Sequence, residues 1–238
     1  MPHPTAPSGH HEHRSIAGGQ TRAAVFGVSD GLVSNISLIL GFAGSGVDSS
    51  VVRLAGLAGL LAGAISMGAG EWVSVTAQNE LIGRELDVER RELARHPEAE
   101  TAELTRLYVS RGVPAAPARE AAEAVMREPA TALSVHAQEE LGVRPDTLAN
   151  PWLVALASFL SFAVGAALPV VPWFIGSGTA ATLASIAIGV VAATIVGALI
   201  GRLAERSVVR SAARQVLILL GACAVTYALG RAIGVNVG

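Results

Sequence analysis

Apolar and polar residues fall into long separate blocks along the chain. Five apolar segments occupy residues 23–47, 51–78, 151–172, 179–203 and 208–233, and one polar block lies between the second and the third. A helix needs about 20 mostly apolar residues to cross the hydrocarbon core of a bilayer, and each segment reaches that length. The pattern therefore predicts an all-α, polytopic membrane protein with five transmembrane helices and one polar insert.

Proline and glycine divide the polar block into predicted helices. Residues 79–95 contain no proline and can continue the second membrane helix into water. The breakers His96-Pro97, Gly112-Val113-Pro114 and Glu128-Pro129 then separate three further helices, over residues 98–110, 117–127 and 131–141. We therefore expect a polar tail at 1–20, transmembrane helices 1 and 2 at 21–78, a three-helix insert at 79–149 and transmembrane helices 3 to 5 at 150–238.

Charge is concentrated in the insert. Only 15% of the chain is charged, whereas soluble domains carry roughly 25%. Between residues 78 and 148, 14 acids stand against 9 arginines, while the whole chain has a net charge of −2. No nucleotide loop, Ser/His/Asp order or basic aromatic stripe occurs. We expect no enzyme, no prosthetic group and no nucleic-acid partner, but an acidic insert that attracts cations.

Arginine placement predicts the orientation in the membrane. The positive-inside rule places short arginine-rich connections in the cytoplasm. Arginines occur before the first helix, throughout the insert and in the last loop, whereas the first loop carries only Arg53. This predicts a cytoplasmic N-terminus and a cytoplasmic insert. All 17 basic residues are arginine, which indicates a GC-rich bacterial genome and hence the plasma membrane.

Acidic side chains lie inside two predicted membrane helices. Asp30 is eight residues beyond Arg22, or about 12 Å at helical rise, and Glu71 is about 13.5 Å before Glu80. The two carboxylates are thus predicted to lie at a similar depth, and Met67 is one turn from Glu71. Oxygen and thioether ligands suit divalent transition metals, with Ser34 and Asn35 as further neutral oxygen donors.

Each of these residues has an ordinary structural alternative. Asp30 could form a hydrogen bond with a neighbouring helix, Met67 could fill the core and Glu71 could lie at the membrane interface. A carboxylate is nevertheless costly in hydrocarbon, so a functional role for Asp30 is the default hypothesis.

Several acids of the insert recur at helical spacing. Glu85, Glu89 and Glu92 share one predicted face, Glu100 and Glu103 another, and His136 with Glu140 a third. Like charges on one face repel, and a bound cation would remove that cost. The alternative is a solvated surface paired with arginines, and spacing alone favours it.

Two further features offer little metal chemistry. The tail segment 9–13 contains His10, His11 and His13, which we expect to be a weak accessory metal site at most. Cys223 is the only cysteine, so neither an internal disulfide nor a thiolate site is expected.

Two motifs resemble signatures of the vacuolar iron transporter family. Residues 30–35 read DGLVSN and residues 63–75 read GAISMGAGEWVSV, and they resemble the first-helix and second-helix signatures of that family. The resemblance covers nearly the whole chain after about residue 15. It implies five transmembrane helices and a cytoplasmic three-helix metal-binding domain. It also implies a homodimer with its translocation path at the two-fold axis.

The resemblance further implies a function and a set of ligands. It implies a proton-coupled exporter (antiporter) of Fe²⁺, and of related ions such as Mn²⁺, from the cytosol, without ranking Zn²⁺, Co²⁺ or Ni²⁺. The membrane site falls on Asp30 and Met67 with Glu71 close by. The insert ligands fall on Glu89, Glu92, Glu100, Glu103 and Glu140. His136 stands where some members carry methionine, and Glu85 is a less certain ligand.

Two other functions remain open at this point. A passive divalent-metal channel would use the same ligands without proton coupling. A membrane-anchored metal sensor or storage protein would bind metal in the insert and move none, although Asp30 would then have no evident purpose.

Overall fold

The computed structural model describes residues 19–143 and 148–237, and every regular element in them is helical. The predicted tail, with its histidines, therefore lies almost entirely outside the described residues. The helices are α1 (Gly19–Gly44), α2 (Ser49–Arg95), α3 (Pro97–Ser110), α4 (Ala115–Met126), α5 (Pro129–His136), α6 (Pro151–Ala167), α7 (Pro172–Ile175), α8 (Gly178–Leu203) and α9 (Val208–Val237). A π-helical turn, Ala137–Leu141, follows α5 directly.

Four helices of the described chain are long and apolar enough to cross a membrane. They are Ala24–Gly44, Ser49–Arg95, Gly178–Leu203 and Val208–Gly234. The protein is thus an all-helical membrane protein, and helix α2 continues without a break from its apolar half into the insert, as the sequence suggested.

The expected third transmembrane segment is shorter than its apolar run. Helix α6 has 17 residues and ends at Ala167, although the sequence suggested a span to residue 172. Pro169 lacks an N–H, and its ring would collide with the carbonyl four residues earlier, so the helix cannot continue through it. A turn and the one-turn helix α7 complete the run. The count of five spans remains a prediction.

The chain folds as two compact units, divided within α2 after Ala64 and within α6 before Ala157. In the first unit, α1 packs against α8 and α9. Leu32, Ile36 and Leu40 of α1 meet Ala193 of α8 and Leu219 and Cys223 of α9 in a buried cluster. Asp30 belongs to this unit, and Met67 and Glu71 belong to the other.

Glycines let the backbones of the first unit approach closely. A Cβ at Gly31 would overlap the Phe162 carbonyl of α6, and one at Gly230 of α9 would overlap the Gly41 carbonyl of α1. Between membrane helices such contact supplies van der Waals packing that lipid does not replace. The glycines of α1 therefore fix how closely its neighbours pack.

The second unit is built from the polar half of α2 and the helices that follow. Helix α3 packs on α4, and α4 packs on α5. Its buried apolar positions include Leu86, Leu104, Ala118, Ala122, Ala132 and Ala137. Helix α4 begins at Ala115, two residues before the predicted start, and the predicted fourth helix is divided into α5 and the π-helical turn.

Candidate metal centre

A buried histidine lies among three carboxylates in the second unit. His136 ends α5, and only 1% of its surface is exposed. Its Nδ1 atom lies 3.2 Å from Oε1 of Glu89, 3.2 Å from Oε1 of Glu140 and 3.6 Å from Oε2 of Glu100. One ligand atom from each of the four residues lies within 4.8 Å of the others. We call these four residues the carboxylate–histidine cluster.

Local structure explains how each cluster residue reaches this position. Glu89 lies one turn after the buried Leu86 on α2, and Glu100 lies one turn before the buried Leu104 on α3, so both share a buried face with a core leucine. Glu140 lies on the π-helical turn, a rare geometry that is frequent at functional sites. Gly142, with φ 67°, closes that turn in the left-handed conformation that suits glycine.

The surroundings of two cluster acids raise their pKa values. Burial raises the pKa of Glu89, and the negative charge of Glu140 raises it further. Burial also raises the pKa of Glu100; His136 acts in the opposite direction, and Glu103 and Glu140 add to the rise. The acids are thus held in surroundings that disfavour their charged forms.

Two buried atoms of the cluster have no hydrogen-bond partner among the described residues. They are Oε1 of Glu89, which lies near the His136 ring without hydrogen-bond geometry, and Nε2 of His136. A buried polar atom without a partner is costly, and an ion held among the carboxylates would give Oε1 of Glu89 a partner. Three carboxylates and one imidazole form an oxygen-rich ligand set that suits Fe²⁺, Mn²⁺ and Zn²⁺.

The other predicted acids of the insert lie outside the cluster. The carboxylate of Glu92 lies 4.0 Å from Nε2 of His96. Glu103 is exposed and acts on the cluster through its charge, and Glu85 is half-buried. Of the predicted insert ligands, the structure brings Glu89, Glu100, His136 and Glu140 together. Glu85, Glu92 and Glu103 lie outside this cluster.

The predicted membrane ligands lie on two helices. Asp30 of α1 is exposed within one chain, and its Oδ1 accepts a hydrogen bond from Ser34 of the same helix at 3.3 Å. Among the described residues, Asp30 forms no hydrogen bond with a neighbouring helix. Met67 and Glu71 are half-buried on α2.

Asn35 connects three helices through its amide nitrogen. The side chain is 2% exposed, and its Nδ2 donates to the Gly56 carbonyl at 3.1 Å and the Ala166 carbonyl at 2.7 Å. Its Oδ1, which the sequence suggested as a neutral ligand, is buried without a hydrogen-bond partner among the described residues. A single amide therefore joins α1, α2 and α6.

An ion pair beside the cluster was not expected from the sequence. Arg111, which follows α3, pairs with Glu139 of the π-helical turn. Burial and the charge of Glu139 raise the pKa of the neighbouring Tyr108. Arg111 and Glu139 are 28 positions apart in the sequence, so helical spacing gives no signal for the pair.

Known proteins resemble this chain over most of its length. A vacuolar iron transporter of Acanthamoeba castellanii is 38% identical, covering 95% of this chain and 81% of the relative. Vacuolar iron transporter 1 of Oryza sativa subsp. japonica is 30% identical, covering 94% and 90%. Vacuolar iron transporter homolog 2.1 of Arabidopsis thaliana is 31% identical, covering 90% and 81%.

These relatives are named as transporters, which confirms the prediction that the chain is not an enzyme. The model of the VIT family matches residues 21–231, so the match includes both sequence motifs and all four cluster residues. The resemblance seen in the sequence is therefore confirmed, and the chain belongs to the VIT family.

Proposed function

We propose that the protein is a proton-coupled exporter of Fe²⁺ and related divalent metals, such as Mn²⁺, from the cytosol. The observation that carries this proposal is the carboxylate–histidine cluster, where three acids and a buried imidazole meet and Oε1 of Glu89 is buried without a hydrogen-bond partner among the described residues. The names of the relatives, vacuolar iron transporters, support iron as the cargo.

The cluster would collect metal from the cytosol. Glu89, Glu100 and Glu140 supply carboxylate oxygens, and His136 supplies a nitrogen through Nδ1, the ring atom that faces them. The neighbouring acids Glu92, Glu103 and Glu85 would raise the local cation concentration through their charge, since like-signed clusters attract counter-ions.

Asp30 would be the transit ligand in the membrane, with Met67 and Glu71 as the further ligands that the family resemblance implies. Asp30 is exposed in one chain, as expected for a residue that a second copy covers at the two-fold axis of a homodimer. A carboxylate that alternately binds metal and a proton would couple the two flows, because a proton from outside releases the metal. Met67 adds a soft thioether ligand that disfavours Mg²⁺ and Ca²⁺.

We place the protein in a bacterial plasma membrane, with its N-terminus and insert in the cytoplasm. The arginine-only basic composition and the arginine-poor first loop support this placement. The relatives, in contrast, are named as vacuolar iron transporters.

Proteoliposomes test the proposal. An imposed pH gradient without a metal gradient should drive Fe²⁺ or Mn²⁺ accumulation, and Asp30→Asn should abolish it. Asp87→Asn is the matched control, because Asp87 is exposed, pairs with Arg90 and lies outside the cluster. Accumulation by Asp30→Asn at the parent rate would exclude Asp30 as the coupling residue.

The same assay separates the two alternatives. Metal flux that only follows the metal gradient identifies a passive channel. Metal binding by the intact protein without any flux identifies a sensor or storage protein.

A further inference from the structure

Four arginines surround the connection between α8 and α9. Arg202 lies in the last turn of α8, Arg206 in the connection, and Arg210 and Arg214 in the first two turns of α9. All four are exposed, and Glu205 is the only acid between residues 202 and 214. Within the described residues, none of the four forms a salt bridge with an acid. We call this group the arginine connection.

The arginine connection lies where two membrane helices end. Gly178–Leu203 and Val208–Gly234 are both long and apolar enough to span a bilayer, so the residues between them lie at its surface. Arg210 and Arg214 start only about 3 and 9 Å along α9 at helical rise. Arginine side chains extend from such positions to the headgroup layer while their stems stay in apolar surroundings.

Four exposed arginines at the membrane surface can bind a negatively charged partner. A guanidinium group presents a planar fork of N–H donors that binds two phosphate oxygens at once. Clusters of basic residues beside a membrane helix bind anionic lipids, and each basic residue raises the affinity about fivefold. We propose that the arginine connection is a binding surface for the headgroups of anionic phospholipids in the cytoplasmic leaflet.

Depth favours a lipid over a soluble phosphate. The connection has only the four residues 204–207 between the helices, so it forms no deep enclosure for a free anion. Lipid phosphates, in contrast, are held at this level by the bilayer. The inference does not depend on metal transport. Its assignment to the cytoplasmic leaflet rests on the proposed orientation, whereas the lipid binding rests on the α8–α9 end of the first unit.

Native mass spectrometry of the full chain in neutral detergent tests the proposal. Phosphatidylglycerol should bind more tightly than phosphatidylcholine. Arg206→Gln with Arg210→Gln should weaken phosphatidylglycerol binding about 25-fold and leave phosphatidylcholine unchanged. The paired lysine variant, Arg206→Lys with Arg210→Lys, keeps the charge and should retain most of the preference.

Arg231→Gln is the matched control. Arg231 is exposed on the same helix, about 30 Å from Arg210 at helical rise, and its loss should change the lipid preference little. Thermal unfolding in the same detergent should show that the glutamine pair remains folded.

Three results would overturn the proposal. The glutamine pair could bind phosphatidylglycerol as tightly as the parent. Arg231→Gln could lose as much affinity as the glutamine pair. Inorganic phosphate could bind as tightly as phosphatidylglycerol, which would assign the surface to a soluble anion instead.

Discussion

At the scale of single residues, the candidate site depends on how separate helix faces rotate toward one another. The sequence predicted Glu89 and Glu92 on one face of α2, and Glu100 and Glu103 on one face of α3. Within each pair only the first residue reaches His136, because residues three apart on a helix differ by about 60° around its axis. Spacing thus identified the candidate acids, and packing decided which of them meet.

Loss of one cluster carboxylate should weaken metal binding. Glu89→Gln keeps the size of the side chain and removes its charge, so we expect the affinity for Mn²⁺ or Zn²⁺ to fall at least tenfold. Residues that only support metal ligands already change affinity by about 10- to 100-fold. Isothermal titration calorimetry of the detergent-solubilised protein measures the change. Glu98→Gln, an exposed acid in the first turn of α3, should bind like the parent. Equal affinities in all three proteins would remove Glu89 from the site.

The contribution of Glu89 and Glu100 to the stability of the metal-free protein should fall as pH rises. Because the pKa values of Glu89 and Glu100 are raised in the folded state, that state holds protons which the unfolded chain has already lost. Their contribution to stability is therefore present below the ordinary glutamate pKa and is lost as pH rises through the raised values.

Thermal unfolding in the presence of a chelator measures this pH dependence. The double variant Glu89→Gln with Glu100→Gln should lose that part of the slope, and added metal should reverse it in the parent. A parent and double variant with the same slope would show that these two acids do not contribute.

At the scale of elements, the sequence located helices better than their ends. Apolar length identified α1, α8 and α9, and the absence of proline allowed α2 to run through. Helix α6 is shorter than its apolar run because Pro169 interrupts the helix. The length of an apolar run alone does not show such an interruption. The π-helical turn had no sequence signal, since one extra residue in a turn changes neither composition nor the spacing pattern appreciably.

The crossing of α1 and α9 should tolerate no added side-chain atom. Gly230→Ala places a methyl group against the Gly41 carbonyl, which is backbone and cannot rotate away, so we expect a loss of about 1–3 kcal/mol. Gly221→Ala is the control on the same helix, because nothing lies within 4 Å of a Cβ there. Thermal unfolding followed by circular dichroism in detergent compares the two. The prediction is wrong if both variants melt at the same temperature.

At the scale of the whole molecule, topology is the property that the charge pattern predicts most directly. Arginine-rich and arginine-poor connections alternate along the chain, so one insertion direction satisfies all of them. The subunit arrangement could not be predicted from residue patterns, because small-residue faces suit contacts within a chain as well as between chains.

Cysteine labelling should report opposite sides for successive loops. The only cysteine is buried, so Cys223→Ala gives a parent without reactive thiols. In that background an impermeant reagent should label Val47→Cys and Ser177→Cys in intact cells, and Ser207→Cys only in inverted vesicles. Labelling of Ser177→Cys and Ser207→Cys from the same side would contradict a membrane crossing by α8.

The Asn35 amide limits how the membrane part can move. Its two hydrogen bonds tie α1 to the first half of α2 and to α6 in a setting without water to replace either of them. A transport cycle that separated these three helices would have to break both bonds at once. The cheaper route is for the three to tilt together as one rigid body, so that any change of access between the two sides of the membrane arises at the edges of this group.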